Sequence, residues 1–140
     1  MRASGTFKVV SFTPAPLAPE PPVETGLPVG VATMEKHYEG AGLTGTSATL
    51  FSYAFDQAKS VGTYVAMESF EGALDGRAGT FNFAHSATTT GGPSREAEFF
   101  LIVPGSGTAA LAGITGSGGL TVDPDGTHRV WFDYEVEDQV

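Results

Sequence analysis

Lys36, Glu68 and His85 are ionisable residues set in stretches that otherwise alternate Phe, Tyr, Met and Ala with polar side chains. A carboxylate and an imidazole on neighbouring strands can pass a proton, because the carboxylate orients the ring and selects its tautomer near neutral pH. Glu68 and His85 are therefore the candidate catalytic pair. The same three groups also have a plainer use, a Lys36–Glu68 ion pair satisfied inside a packed core with no turnover at all. Their spacing leaves both uses open.

Other constellations are weaker. Glu35, His37 and Glu39 share one row of a single strand and have the chemistry of divalent-metal ligands. One strand rarely supplies a whole site, and the opposite row (Met34, Lys36, Tyr38) is the better interior face, so the acidic row reads as solvated and no metal site is assigned. The run Gly116 to Gly119 has the composition of a phosphate-cradling loop but lacks the Lys-Ser/Thr and the helix start such a loop needs; it reads as a bulge or bend. Neither Ser106 nor Ser117 lies in a Gly-x-Ser-x-Gly elbow, which argues against a serine hydrolase.

The elements that must carry these residues are strands. Gly and Pro are abundant, Thr, Val and Phe fill the spaces between them, and no stretch of three turns keeps apolar residues at helical spacing free of Gly. Eight strands are expected, at residues 5–12, 29–39, 46–56, 62–74, 79–90, 96–103, 109–121 and 127–137. The joints Leu74 to Gly79, Gly105 to Thr108 and Asp123 to Gly126 are rich in the residues that tight turns demand. Joints this short permit only antiparallel neighbours. An open meander of eight would leave two bare edges, so closure into a barrel is the expected solution. Residues 13–28 hold most of the prolines and are expected as an extended strap rather than a central strand.

Period-two alternation then predicts an interior row on several strands. It comprises Met34, Lys36 and Tyr38; Tyr64, Ala66, Glu68 and Phe70; Phe81, Phe83 and His85; and Val130, Phe132 and Tyr134. On this reading Met34, Lys36, Tyr38, Tyr64, Phe70, Phe81, Phe83, Phe132 and Tyr134 line a ligand cavity, mostly apolar with a few placed polar groups. Val65, Met67 and Trp131 fall on the opposite row and are candidates for self-association.

Bulk properties narrow the function classes. At 140 residues the chain fits one domain able to bury a core unaided, and with no cysteine it has no disulfide, zinc-thiolate site or thiol catalysis. The net charge of −9 repels phosphate backbones and anionic membranes, and Arg2, Lys8, Lys36, Lys59, Arg77, Arg95 and Arg129 are scattered singly. Nucleic acid and membrane are thus not expected as partners. The stretch Met1 to Val10 lacks the apolar core of a secretory signal, and no apolar run is long enough to cross a bilayer, so the expected location is cytoplasmic.

Three segments carry a family resemblance: Ala32 to Gly40 (ATMEKHYEG), Gly62 to Phe83, with Glu68, Phe70, Gly72, Leu74 and Gly76 at alternate positions, and Pro104 to Gly119, with Ser106 to Thr108 and Leu111 to Gly116. With them the chain resembles a bacterial domain-of-unknown-function family with an allene-oxide-cyclase-like barrel, and the likeness covers nearly its whole length. The resemblance implies an eight-stranded antiparallel barrel, often associated with itself, with no established activity. Allene oxide cyclases and dirigent proteins look like distant relatives by fold and steer reactive small molecules by the shape of an apolar cavity. No residue of their active sites is matched here, so none is carried over.

The expectations are a small apolar molecule bound in the barrel without a cofactor, or an isomerase or cyclase using Glu68 or His85 on an apolar metabolite, or a structural domain that forms a homodimer or other homo-oligomer through its outer face.

Overall fold

A computed structural model of the chain describes residues 1–92 and 94–137. Its strands are β1 (Arg2–Ala15), β2 (Val29–Glu39), β3 (Leu43–Asp56), β4 (Val61–Leu74), β5 (Arg77–Thr90), β6 (Glu96–Ile102), β7 (Thr115–Val122) and β8 (His128–Glu135). Each pairs antiparallel with the next, and β8 returns to β1 through Ala3↔Phe132 and Gly5↔Val130, so the eight strands form a closed ring. Among the described residues the one helical element is a 3-10 turn, Ala109–Leu111. The β4–β5 joint shows how local chemistry sets the register. Asp75 and Gly76 both take positive φ, 50° and 82°, as a two-residue hairpin turn requires, and Leu74 then faces Arg77.

The structure departs from the expected strands at several ends: β1 begins at Arg2 rather than 5 and β3 at Leu43 rather than 46. β1 runs on to Ala15, pairing Thr13, Pro14 and Ala15 with Thr33, Ala32 and Val31 of β2. The expected strap therefore shrinks to residues 16–28, which carry no strand and are almost all exposed. Pro14 is tolerated because β1 pairs with β8 only as far as Phe7, so beyond that point its other edge is free. The seventh strand starts at Thr115 rather than 109, since the Ala109–Leu111 turn precedes it. The glycine run Gly116 to Gly119 is neither bulge nor bend: its ladder with β8 keeps register throughout. Its missing side chains make room for rings, since a Cβ on Gly118 would lie 2.7 Å from the Phe100 ring and one on Gly119 would lie 2.0 Å from Trp131.

The Ser-Gly-Thr segment seals the ring beside β5. Val103 and Thr108 donate backbone N–H groups to the carbonyls of Asn82 and Thr80, while the Ser106 and Thr108 hydroxyls accept from the N–H groups of those same two residues. Residues 103–108 thus continue the β6 pairing in irregular form.

The strands differ in length, and this decides where the interior opens. β7 and β8 stop at Val122 and His128, level with Phe7, whereas β1 to β5 run on past that level. The β6–β7 seam holds just two register pairs, Leu101↔Ser117 and Ile102↔Gly116. One end of the ring is consequently packed and the other flares. The packed end holds Tyr38, Leu43, Phe70, Leu74, Phe81, Phe83, Ile102, Leu111, Ile114, Phe132 and Tyr134, all buried in one cluster. Ring centroids there lie 5.0 Å (Phe70–Phe81), 5.1 Å (Phe83–Phe132) and 5.5 Å (Phe81–Phe132) apart, the spacing of interlocked aromatic pairs.

Candidate functional site

Glu68 lies on the inner row of β4, fully buried, with Thr49 facing it from β3 and Phe83 from β5. A bare carboxylate at such a site is costly unless its lone pairs are met. Here each oxygen is met twice. Oε2 accepts from Lys36 Nζ at 2.6 Å and from His85 Nε2 at 2.5 Å, and Oε1 accepts from the Tyr38 hydroxyl at 2.5 Å and Ser47 Oγ at 2.7 Å. Burial pushes the carboxyl pKa up, but the His85 hydrogen bond and the Lys36 charge outweigh it and hold Glu68 at about 2. Burial together with the neighbouring carboxylate drives the Tyr38 hydroxyl well above its ordinary value, so it stays protonated and donates.

His85 comes in from β5 beside two rings, Phe83 at 5.8 Å and Phe100 at 5.6 Å, which themselves stack on each other at 5.2 Å. This apolar setting lowers its pKa by burial, the Glu68 hydrogen bond opposes the shift, and Lys36 reinforces it. The neutral ring has one proton. An ionised carboxylate can only accept, so that proton sits on Nε2, and Nδ1 must accept from the Tyr64 hydroxyl 2.9 Å away. Tyr64 in turn accepts from Arg95 Nη2 at 2.6 Å, and Arg95 Nε donates to Glu98 at 2.7 Å. Donors thus point one way along Arg95, Tyr64, His85 and Glu68, from the partly exposed surface to the buried hub. Lys36 also lies over the Phe7 ring, 4.7 Å from its centroid.

The residues expected to line a cavity separate into three levels. Tyr38, Phe70, Phe81, Phe83, Phe132 and Tyr134 are buried and packed on one another, and the Tyr134 hydroxyl bonds Asp75 at the far end of the ring. Lys36, Glu68 and His85 sit above that layer. Met34 and Tyr64 lie higher still, on the inner row of the flared end and half-buried.

Sequence reasoning missed their neighbours there. Phe51 stacks on Tyr64 at 5.1 Å and meets Tyr53 at a tilt at 5.3 Å, and Phe12 reaches both Phe51 and Tyr53. Splitting β3 into its two rows would have found Ser47, Thr49, Phe51 and Tyr53. No such signal existed for Phe12, because a register shift between Val9 and Ser11 turns it inward opposite Met34, or for Arg95, which precedes β6. One further group stands out: among the described residues, Thr49 Oγ1 is the buried side-chain polar atom without a hydrogen-bond partner.

The remaining candidates lie outside the ring. Glu35, His37 and Glu39 are exposed, with His37 Nε2 2.9 Å from Glu35, and no group of three potential metal ligands occurs among the described residues. Ser106 binds backbone and holds the β5 seam. A surface depression of about 560 Å³ is lined by Glu35, Thr46, Ser69, Glu71 and Asn82 among others, and none of these is a buried ionisable group. The hub and its polar chain therefore mark the site. Val65 and Met67 are exposed on the outer face, whereas Trp131 is half-buried, with the Arg2 guanidinium 5.5 Å from its ring centroid.

Comparison with known proteins adds the following. A family model described as "Protein of unknown function (DUF3224)" matches residues 3–134. The crystal structure of a protein of unknown function from that family, from Shewanella oneidensis MR-1, is similar over 99% of this chain and 98% of its own, at 26% identity and a TM-score of 0.77. No curated protein matches the chain.

Proposed function

For this chain, which belongs to the DUF3224 family of proteins of unknown function, we propose that the flared end of the ring binds a small apolar molecule. The observation that carries the reading is an inner row of half-buried Met34, Phe51, Tyr53 and Tyr64 above a buried polar hub. Inner-row aromatics are normally covered by facing strands; these keep a part of their surface open because β7 and β8 end below them. Apolar walls with a few fixed polar groups at their base are the usual make-up of a small-molecule site. The allene-oxide-cyclase likeness is part of this proposal as a scaffold argument only: a closed ring with an aromatic mouth suits holding an apolar molecule in one conformation.

The test uses the neutral apolar dye N-phenylnaphthylamine. It should bind with saturable, blue-shifted fluorescence, and Phe51→Ala should weaken binding about tenfold or more, the worth of one buried aromatic side chain. Met67→Ala on the outer face should change nothing. Absent binding, or equal losses in the two variants, would refute the reading.

Turnover is a second reading, favoured by the single direction of the donor chain. Glu68 is saturated by its donors and His85 by Glu68 and Tyr64, so neither has a free lone pair for substrate. The Tyr64 hydroxyl, half-buried at the mouth, is the member of the chain that can meet one, and any isomerase or cyclase chemistry would pass a proton through it. Glu68→Gln and His85→Ala would then abolish turnover. Self-association is a third reading, resting on Leu50, Met67 and Leu101, which expose their side chains in one register row across β3 to β6. A strict monomer by light scattering at high concentration would refute it.

A further inference from the structure

We propose that the ligand of this pocket is a neutral molecule with a hydrogen-bond acceptor, a ketone or ester carbonyl on an apolar body, whose oxygen is met by Thr49 Oγ1 and Lys36 Nζ. The inference rests on the binding reading above and adds the chemical class.

The first support is the orphan hydroxyl. Thr49 is 3% exposed, faces inward between Met34 of β2 and Glu68 of β4, and has no partner. Buried hydroxyls are nearly always paired, and an unpaired one costs roughly 1–3 kcal/mol. Lys36 lies diagonally beside it, since Met34 faces Thr49 and Lys36 faces Ser47.

The second support is a surplus of donors. An ammonium carries three N–H groups, and Lys36 uses one on Glu68 while the Phe7 ring covers another side. Both oxygens of Glu68 are already doubly occupied. What the pocket base lacks is an acceptor.

The third support is charge. The two cations facing the site each have a carboxylate within 2.7 Å, Lys36 with Glu68 and Arg95 with Glu98. Among the described residues these two leave no uncompensated positive charge for an anion, and a ligand carboxylate would approach the Glu68 carboxylate in a low-dielectric site. A carbonyl accepts without adding charge. Met34, the register partner of Thr49 on β2, is an unbranched thioether that can adapt to a ligand there.

The experiment titrates isotope-labelled protein with octan-2-one, with 2-methyloct-1-ene, which replaces the carbonyl oxygen by CH₂, and with octanoate, following amide shifts of β2 to β4. The ketone should bind about tenfold or more tightly than the alkene, and octanoate more weakly than the ketone. Thr49→Val should cut the preference for the ketone severalfold, leaving the part owed to Lys36, and leave alkene affinity unchanged. Without ligand, Thr49→Val should raise the urea midpoint, because an unpaired buried hydroxyl is removed. Equal affinity for ketone and alkene, tighter binding of octanoate, or a lowered midpoint in Thr49→Val would overturn the assignment of class while leaving the pocket standing. Failure of all three probes to bind would overturn the pocket itself.

Discussion

Replacing Glu68 with Gln tests the hub most directly. Gln keeps the shape but removes the charge, and its amide must turn one end from acceptor to donor. The hydroxyls of Tyr38 and Ser47 can reverse and accept from that NH₂, whereas Lys36 and a neutral His85 proton on Nε2 cannot, so the Gln carbonyl oxygen must take the Oε2 position. Lys36, 4% exposed, then has no counter-charge. At 2.6 Å and an effective dielectric of about 20, the lost attraction has an upper bound of about 6 kcal/mol. Breaking a buried pair from one side costs about 3–5 kcal/mol. With a urea slope of roughly 2 kcal/mol per molar, the midpoint should fall by about 2 M. Adding Lys36→Met removes the stranded ammonium and should restore most of that loss, since an apolar pair of similar volume often replaces a buried ion pair at little cost. The double-mutant cycle is read by urea unfolding at neutral pH. A loss below about 1 kcal/mol in Glu68→Gln, or a double variant no more stable than that single one, would show that the pair does not hold the hub and would refute the reasoning.

Further outcomes follow from the same geometry. Glu68 titrates near 4.5 when free and at about 2 in the fold, so its stabilisation, about 3 kcal/mol, is present above pH 4.5 and lost as pH falls toward 2. His85, lowered from 6.5, adds stability that is present above that value and lost as pH falls through its folded pKa. Urea midpoints measured from pH 8 to 2.5 should therefore fall with acid, and the limb below pH 4.5 should flatten in Glu68→Gln. Nitrogen NMR at neutral pH should find the His85 proton on Nε2, and a proton on Nδ1 would contradict the donor order inferred for the Tyr64–His85–Glu68 chain. Tyr64→Phe should cost about 1 kcal/mol by urea unfolding, one hydrogen bond at a partly exposed position, with a loss of several kcal/mol counting against the chain's order. Phe132→Ala at the packed end should cost about 3–5 kcal/mol in the same measurement, and a loss under 1 kcal/mol would mean that this end is not packed.

The chain's residue order by itself determined the strand class, the antiparallel pairing and the inner rows, because side chains alternate with period two and short Gly- and Asp-rich joints allow only hairpins. That is why Lys36, Glu68 and His85 were legible as interior residues beside Tyr38, Phe70 and Phe83. Tertiary structure alone decided what those rows enclose. Whether an inner residue is core or pocket wall depends on the strand facing it across the ring, and β7 and β8 stop too low to cover Met34, Phe51, Tyr53 and Tyr64. The inward turn of Phe12 came from a one-residue register shift, which sequence periodicity cannot see. The capture of Tyr64 by Arg95 joins residues 31 positions apart, and the Thr49 hydroxyl is left unpaired by the side chains around it; side-chain reach decided both, and no local pattern encodes it.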